Sequence, residues 1–238
     1  MKVITIRLTA PFQSYGNQAT FNVRSTNLFP TKSAVVGMVA AALGYRREDT
    51  RIASLNDLDF AVRIDQVGST TTDFQIAKYD AKKPGKLTYR ENLQDYVYVV
   101  ALGSEDIDLI DKINFSLHHP KFQLFLGRRS NPPAGVLRTE TFEATTPIEV
   151  LKDKLPWQAS KWYQKKYTEP NFEAELYADA NLLPKNPNFM MQDIAESFNP
   201  RNRHFSYRSV AKGRVTLVNP QSQSNDSDLD EHDVWEAM

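Results

Sequence analysis

The stretch "DYVYVVALGSEDIDLIDKINFSLHHPKFQLFLG", residues 95–127, predicts a strand, a helix and a second strand in direct succession. Apolar residues alternate over "DYVYVVALG", which is typical of a strand. In "SEDIDLIDKINFSLHH", Ile110, Ile113 and Leu117 recur at helical spacing, with acids in the first turn and histidines in the last, as the helix dipole favours. "KFQLFLG" then alternates again, so we expect a strand over residues 121–127.

The segments before this stretch predict a strand, a helix and a strand in the same way. "KVITIRL" near the N-terminus and "DFAVRID" after residue 58 both alternate as strands do. Between them, "PTKSAVVGMVAAALG" predicts a buried helix that begins at Thr31 or Ser33 and ends at Gly44. The predicted order is β-α-β-β-α-β, the ferredoxin-like arrangement shared by RRM-like RNA-binding domains, and the fold class is α+β.

A long insertion, residues 66–93, separates the second and third predicted strands. It contains "DFQIAKYDAKKPGKLTYREN", in which strand-like flanks surround a Lys-Lys-Pro-Gly-Lys turn. Because these flanks surround a turn, we expect a protruding β-hairpin with a basic tip, and a stretch of this length is usually functional; a mobile loop is the alternative. The residues expected to make its contacts are Lys82, Lys83, Lys86 and Tyr89.

The remaining sequence divides the chain into three parts. Residues 1–130 form the predicted ferredoxin-like domain. Residues 131–220, which include "LPWQASKWYQKKY" and the strand pattern "RVTLV", predict a smaller antiparallel β region. Residues 221–238 contain six acids and no Lys or Arg, so we expect a disordered acidic tail; a docking peptide that uses Val234 and Trp235 is the alternative.

Composition limits the chemistry. Cysteine is absent from the 238 residues, which excludes disulfides, thiolate metal sites and a cysteine nucleophile. The N-terminus does not resemble a signal peptide and no apolar window is long enough to cross a bilayer, so we expect a cytoplasmic protein without membrane contact. Outside the acidic tail, 29 Lys and Arg face 23 Asp and Glu, which mildly favours a polyanionic partner.

The first stretch that could bind a polyanion is "APFQSYGNQATFNVRSTNLFPTKS". It ends at the start of the first predicted helix, where free N–H groups and the positive end of the helix dipole make a seat for phosphate. Simple helix capping gives the same pattern and is the alternative. The candidate RNA-binding residues here are Tyr15, Gly16, Arg24, Lys32 and Ser33.

The second stretch, "LGRRSNPPAG", follows the predicted fourth strand. It supplies Arg128, Arg129 and Ser130. Adjacent strand residues point to opposite faces, so we expect one of the two arginines to reach a given ligand. A solvated pair, or a salt bridge to an acid, is the alternative.

The third stretch is "FNPRNRHFSYRSVAKGR", residues 198–214. It combines five bases with His204, three aromatic residues and no acid. Single-stranded RNA sites interleave aromatic rings, which stack on bases, with cations that hold phosphates. A basic turn between strands is the alternative. The candidate residues are Arg201, Arg203, His204 and Arg208.

Five separated motifs resemble a known family. "RLTAPFQSYG", "FPTKSAVVGMVAAALG", "TYRENLQDYVYVVALG", "HPKFQLFLGRRSNPPAG" and "ESFNPRNRHFSYR" resemble, in order and approximate spacing, the Cas-five family of the type I-E CRISPR surveillance complex, Cascade. The resemblance covers roughly residues 1–218. It implies a repeat-associated (RAMP) RNA-binding protein with a ferredoxin-like body, a protruding thumb at the insertion and a small β region.

The resemblance also implies partners. Such subunits bind the repeat-derived 5′ handle, or tag, of the CRISPR RNA (crRNA) and cap the backbone filament, and their thumb packs against the adjoining backbone subunit and the guide. The implied partners are the crRNA 5′ handle, a backbone subunit (CasC-type), a large subunit (CasA-type) and, within the assembled complex alone, target DNA. No cofactor, no metal and no catalytic residue is predicted.

A metal-independent endoribonuclease that processes repeat RNA is the alternative function. Enzymes of that kind use His, Tyr or Lys as general acid and base, and type I-C relatives of the resembled family cut the repeat themselves. His118 and His119 end the predicted second helix, where the dipole explains a histidine without catalysis. No second catalytic group is identifiable beside them. A small-molecule-sensing regulator of the same fold would need neither the basic hairpin nor the arginine-rich late segment.

Overall fold

The computed structural model describes residues 1–16, 22–78 and 84–222 of the chain. Its strands are β1 (Lys2–Thr9), β2 (Phe12–Gln13), β3 (Tyr15–Gly16), β4 (Val23–Arg24), β5 (Thr26–Asn27), β6 (Asp59–Gln66), β7 (Ser69–Ala77), β8 (Lys86–Gln94), β9 (Val97–Ser104), β10 (Arg138–Glu143), β11 (Asn171–Asp179), β12 (Asn188–Ser197) and β13 (His204–Val218). Its α-helices are α1 (Lys32–Leu43), α2 (Arg51–Ser54), α3 (Ile107–His118), α4 (Pro147–Glu149) and α5 (Lys161–Lys166). Short helical turns lie at Leu55–Asp57, Val150–Lys154 and Ala180–Leu182.

One antiparallel sheet of seven strands organises the fold. Its order is β10-β1-β9-β6-β11-β13-β12. Within it, β1, β6, β9 and β10 are the first, second, third and fourth strands of a β-α-β-β-α-β unit, with α1 and α3 as the two helices. Their spatial order, fourth-first-third-second, follows from two crossovers that each skip one strand. The predicted α+β fold class is confirmed.

The fourth strand lies elsewhere than predicted. Residues 121–127 form no strand, and β10 instead pairs with β1, for example Thr141 opposite Ile4. The alternation in "KFQLFLG" has a different origin: Leu124 and Leu126 are buried in the core, while the amides of Lys121 and Phe122 donate to the carbonyls at the end of α1. The segment therefore caps a helix and covers the core without joining the sheet.

The C-terminal strands continue this sheet. β11 pairs with β6, and β13 and β12 follow, so the strands of residues 131–220 do not form a second sheet. The predicted boundary at residue 130 accordingly does not fall between two sheets.

Apolar side chains bury both faces of the sheet. The face that carries α1 and α3 holds the largest core cluster, which includes Ile6, Val62 and Val100. The opposite face is covered by the chain from residue 148 to 167, and Trp157 packs there on Phe172. Since neighbouring strand residues point to opposite faces, the sheet separates these two sides of the molecule.

A buried ion pair fixes the second face. Arg63 and Asp65 have no exposed surface, and Arg63 Nε lies 2.7 Å from Asp65 Oδ1. The Arg63 guanidinium also donates to the carbonyl oxygens of Leu151, Leu155 and Pro156. One arginine thus holds the turn that leads to Trp157 against β6.

The insertion forms the predicted hairpin. β7 and β8 pair antiparallel with Phe74 opposite Tyr89 and Ile76 opposite Leu87. β2 and β4 also pair with β8, so the base of the hairpin is joined to the body. The predicted tip residues Lys82 and Lys83, like the tail residues 223–238, lie outside the described residues.

Across the described ranges, the helices are all too short or too polar to span a membrane.

Candidate nucleic-acid interface

A groove of about 840 Å³ opens beside α1, on the face of the sheet that carries the two helices. It is bounded by α1, by the segment 123–128 and by the strands β12 and β13. The residues of the three candidate stretches that line it include Gly16, Arg24, Ser33, Arg128, Arg203, Phe205 and Tyr207. Three stretches separated by up to about 190 positions in sequence therefore meet at one surface.

The charge of the groove is of one sign among the described residues. Arg24, Arg47, Arg128 and Arg203 line it, and no Asp or Glu does. Such a surface favours a polyanion, because bound phosphates replace the counterions that the arginines otherwise hold.

Arg128 is held by the body of the protein. Its guanidinium donates to the carbonyl oxygens of Glu91 and Arg24 at 2.8 Å each and to Asn92 Oδ1 at 3.0 Å. Gly127 lets the loop before Arg128 approach the backbone of Ser14, since a Cβ at position 127 would lie 1.6 Å from the Ser14 carbonyl oxygen. The φ of 90° at Gly127 also favours glycine. Arg129 and Ser130 are exposed and do not line the groove.

Three guanidinium groups meet where the hairpin joins the groove. Arg24 and Arg90 are register partners on β4 and β8, and both repel the charge of Arg128. Burial, followed by the charges of Arg90 and Arg24, lowers the pKa of Arg128, while Asp73 and Glu91 oppose the shift. Arg90 Nε is buried and has no hydrogen-bond partner in the described part of the chain. A buried donor beside two further arginines is a place where an anion would be stabilised.

An aromatic surface faces these arginines. Arg203 lies over the rings of Phe205 and Phe198, at 5.1 and 6.0 Å from their centroids. Phe198 in turn packs on α1 at Gly37, where its ring would lie 3.3 Å from an added Cβ. Tyr207 and Met190, which also line the groove, are 60% and 61% exposed. Exposed rings beside cations are what stacking of unpaired bases requires.

Three of the predicted RNA-binding residues are buried in the structure. Tyr15 is 2% exposed, its hydroxyl donates to Gln13 Oε1, and burial raises its pKa well above the ordinary value. Lys32 Nζ lies 3.1 Å from Asp179, and Arg208 pairs with Asp179 and Asp193 at 2.7 Å. These cations neutralise buried carboxylates and are not available to phosphate.

The start of α1 is likewise closed as a phosphate seat. Asp193 Oδ2 accepts from the Lys32 amide at 2.8 Å, and the Thr31 hydroxyl accepts from the Ala34 amide at 3.2 Å. A carboxylate and a capping hydroxyl thus occupy the positions where an anion would bind, as they would in simple helix capping. Ser33 nevertheless lines the groove.

The remaining candidates lie at the surface. Arg201 is exposed, and His204 Nε2 lies 3.0 Å from Glu196 Oε2 at the surface. In the hairpin, Lys86 and Tyr89 are exposed at the surface, where Tyr89 faces Phe74. His118 and His119 bond the carbonyls four residues earlier in α3, and the ring of His119 stacks on Phe115 at 4.4 Å. Neither lines the groove.

Sequence patterns missed four lining or adjoining residues. Arg47 follows α1, Arg90 lies in the hairpin, and Phe189 and Met190 belong to β12. Arg47 and Arg90 lie outside the three basic stretches, and the exposure of Phe189 and Met190 on an edge strand is not displayed by the sequence. Among the described residues, no group of three or more His, Asp or Glu side chains is arranged to hold a metal ion.

Comparison with known proteins identifies the family. Residues 3–211 match the model of the family described as CRISPR-associated protein (Cas_Cas5), and the chain belongs to this family. It is 30% identical over 172 residues to the CRISPR system Cascade subunit CasD of Escherichia coli strain K12, covering 64% of this chain and 77% of that protein.

Solved structures agree with this assignment. The fold is similar to a chain of a CRISPR RNA-guided surveillance complex, with a TM-score of 0.73, 25% identity and 91% of each chain covered. It is also similar to a Cas protein crystal structure, with a TM-score of 0.66, 27% identity, and 92% of this chain and 96% of that chain covered.

Proposed function

We propose that this protein is an RNA-binding subunit of a type I-E CRISPR surveillance complex, where it binds the repeat-derived 5′ tag of the crRNA and caps the backbone filament. The observation that carries the proposal is the groove beside α1. Arginines from separated segments face aromatic side chains there, and no carboxylate of the described residues lines the groove. The family membership and the likeness to a chain of an RNA-guided complex support it.

The proposed role is binding without catalysis. The described lining of the groove contains Tyr207 but no His, Lys, Asp or Glu that would act with it as the second group of a general acid–base pair. His118 and His119 bond their own helix, and neither they nor His204 line the groove. We propose as partners the crRNA tag, a backbone subunit, a large subunit and, in the assembled complex, target DNA, with the complex located in the cytoplasm.

Purified protein is expected to bind tag RNA and to leave full-length repeat RNA intact in the presence of a chelator. The measurement is binding of labelled tag against a scrambled RNA of equal length, with the RNA analysed on a denaturing gel after incubation. Cleavage at one phosphodiester that disappears in H118A or H119A would establish the alternative, a repeat-processing nuclease. Equal affinity for tag and scrambled RNA would remove the tag from the proposal.

The hairpin supplies the proposed contact with a backbone subunit. Phe74 and Ile76 are 66% and 70% exposed, and they face Tyr89 and Leu87 across the two strands, so four large side chains share one uncovered face. An isolated two-stranded hairpin has little core of its own, and such an apolar face is typical of an interface.

The variant F74T/I76T/L87T is expected to keep its fold and its affinity for tag RNA but to assemble at least about tenfold more weakly with backbone subunits on a crRNA. Each anchor in an interface core contributes about 1 kcal/mol or more, and threonine keeps the strand propensity. Assembly is measured by native gel and size exclusion. The control is Q75T, since Gln75 is exposed on the other face of β7; normal assembly of the triple variant would show that the hairpin is not the thumb.

A further inference from the structure

The short helix α5 presents a basic face on the side of the sheet opposite to the groove. Lys161, Trp162, Lys165 and Lys166 are exposed, and the Trp162 ring is 56% uncovered. The side chains between them point inward: Gln164 is buried and donates to the Trp157 carbonyl, and Tyr163 and Tyr167 pack on the Trp157 cluster.

The positive charge of this face is not neutralised by an ion pair among the described residues, and the nearest acid in sequence is Glu169. Lys161 and Lys165 stand four positions apart, as do Trp162 and Lys166, so they are neighbours on the helix surface. Residues 158–168 contain no Asp or Glu. Within the described ranges, none of the three lysines forms an ion pair. Like charges at this spacing repel and destabilise a helix, so an anionic partner would stabilise α5.

The chain returns to this helix after its last strand. Beyond β13, the Asn219 side-chain amide donates to the carbonyl oxygens of Gln164 at 3.1 Å and of Tyr167 at 2.7 Å. The Asn219 amide N–H donates to the Pro170 carbonyl, and Ser222 Oγ donates back to Asn219. Asn219 is 2% exposed. Ser222, the last described residue, is therefore held beside the C-terminal end of α5.

The sequence that follows Ser222 has the opposite charge. Residues 223–238 contain no Lys or Arg and six acids, which are Asp226, Asp228, Asp230, Glu231, Asp233 and Glu236. Asp226 is four residues beyond Ser222, a span of at most about 14 Å. A six-residue helix is about 9 Å long. The acids therefore begin within reach of Lys165 and Lys166, next to the attachment point.

We propose that the acidic sequence 223–238 binds the lysine face of α5 in the same molecule. The charges are complementary, and attachment four residues away replaces free diffusion with a high effective concentration, of the order of millimolar for short links. The contact neutralises a basic surface that would otherwise attract RNA of any sequence, and so confines polyanion binding to the groove on the other face of the sheet.

The test compares full-length chains by NMR. The variant D226N/D228N/D230N/E231Q/D233N/E236Q removes the charge and keeps the length. Its backbone amide resonances are expected to differ from those of the unaltered protein over residues 161–167, and the differences are expected to vanish in about 0.5 M salt, where the screening length is a few ångströms. K161Q/K165Q/K166Q should produce the matching change in the resonances of the acidic sequence, and the charge-matched control K112Q/K152Q/K185Q should not.

RNA binding gives an independent readout. Neutralising the acidic sequence is expected to raise the affinity for scrambled single-stranded RNA and to steepen its log–log salt dependence by about 2, at roughly 0.7 for each of three lysines. The lysine variant should abolish that gain. Unchanged α5 resonances would overturn the proposal, as would changes confined to the groove residues Arg24 and Arg203. Concentration-dependent shifts would instead assign the contact to a second copy. If the lysine variant lowers RNA affinity while the neutralised variant does not change it, the face is a nucleic-acid site and the proposal is wrong.

Discussion

Replacing Arg63 by Met is expected to lower the free energy of unfolding by about 3–5 kcal/mol, because the substitution leaves a buried carboxylate without its partner. Arg63 and Asp65 have no exposed surface. Burial raises the pKa of Asp65, and the charge and hydrogen bonds of Arg63 oppose that rise. The same substitution removes the donor from three backbone carbonyls in the turn before Trp157.

The loss is measured by urea denaturation, and it depends on pH. Without Arg63 the pKa of Asp65 rises further above its unfolded value, so the folded state binds the proton more readily than the unfolded state. The defect should therefore be smallest below the unfolded pKa and grow as the pH rises through the folded pKa. The control is K2M, which breaks the partly exposed pair between Lys2 and Asp111 and should cost no more than about 1 kcal/mol. Equal losses of unfolding free energy in R63M and K2M would contradict the role of Arg63 as the partner of a buried carboxylate.

The first part of the fold could be predicted because local pattern and tertiary packing agree there. The predicted helix between Thr31 and Gly44 forms as α1, with the Thr31 hydroxyl as its N-cap and Gly44 at φ 84° as its C-cap. The strands β1, β6 and β9 lie inside the sheet and are buried on both faces, so their high apolar content reports burial directly.

The fourth strand could not be predicted because it lies at an edge. β10 reads "RTETFE" and is mostly exposed, so it has no apolar face to display. The competing pattern in "KFQLFLG" was real, but Leu124 and Leu126 face the core from a loop. Alternation reports burial at every second residue, and a covering loop can satisfy that as well as a strand can.

The burial of Lys32 and Arg208 has a long-range cause. Lys32 is 147 positions from Asp179, and Arg208 is 29 positions from it. The carboxylates that pair with these cations belong to other strands. In the sequence, Lys32 and Arg208 therefore cannot be distinguished from exposed basic residues near a helix start or an aromatic cluster. The converse holds for Arg90, which lies between a tyrosine and a glutamate in a hairpin and joins the groove only because β4 pairs with β8.

The largest effect on binding is expected from the groove arginines that the structure leaves exposed. The variant R24Q/R47Q/R203Q should weaken binding of tag RNA by about 100-fold, since charge-assisted contacts with phosphate contribute on the order of 1 kcal/mol or more each. It should also flatten the log–log salt dependence by about 2, at roughly 0.7 for each contact with a single strand. Fluorescence anisotropy over a range of salt concentrations measures both quantities.

The choice of residues separates binding from folding. Arg24, Arg47 and Arg203 line the groove and are exposed, so glutamine should leave the free energy of unfolding nearly unchanged. Arg208 is excluded because its loss would strand Asp193 and Asp179 in the core. The control R138Q/R214Q/K112Q removes the same charge from exposed residues outside the groove. If the control flattens the salt dependence as much as the groove variant does, the RNA is held by the general charge of the body, and the groove is not its site.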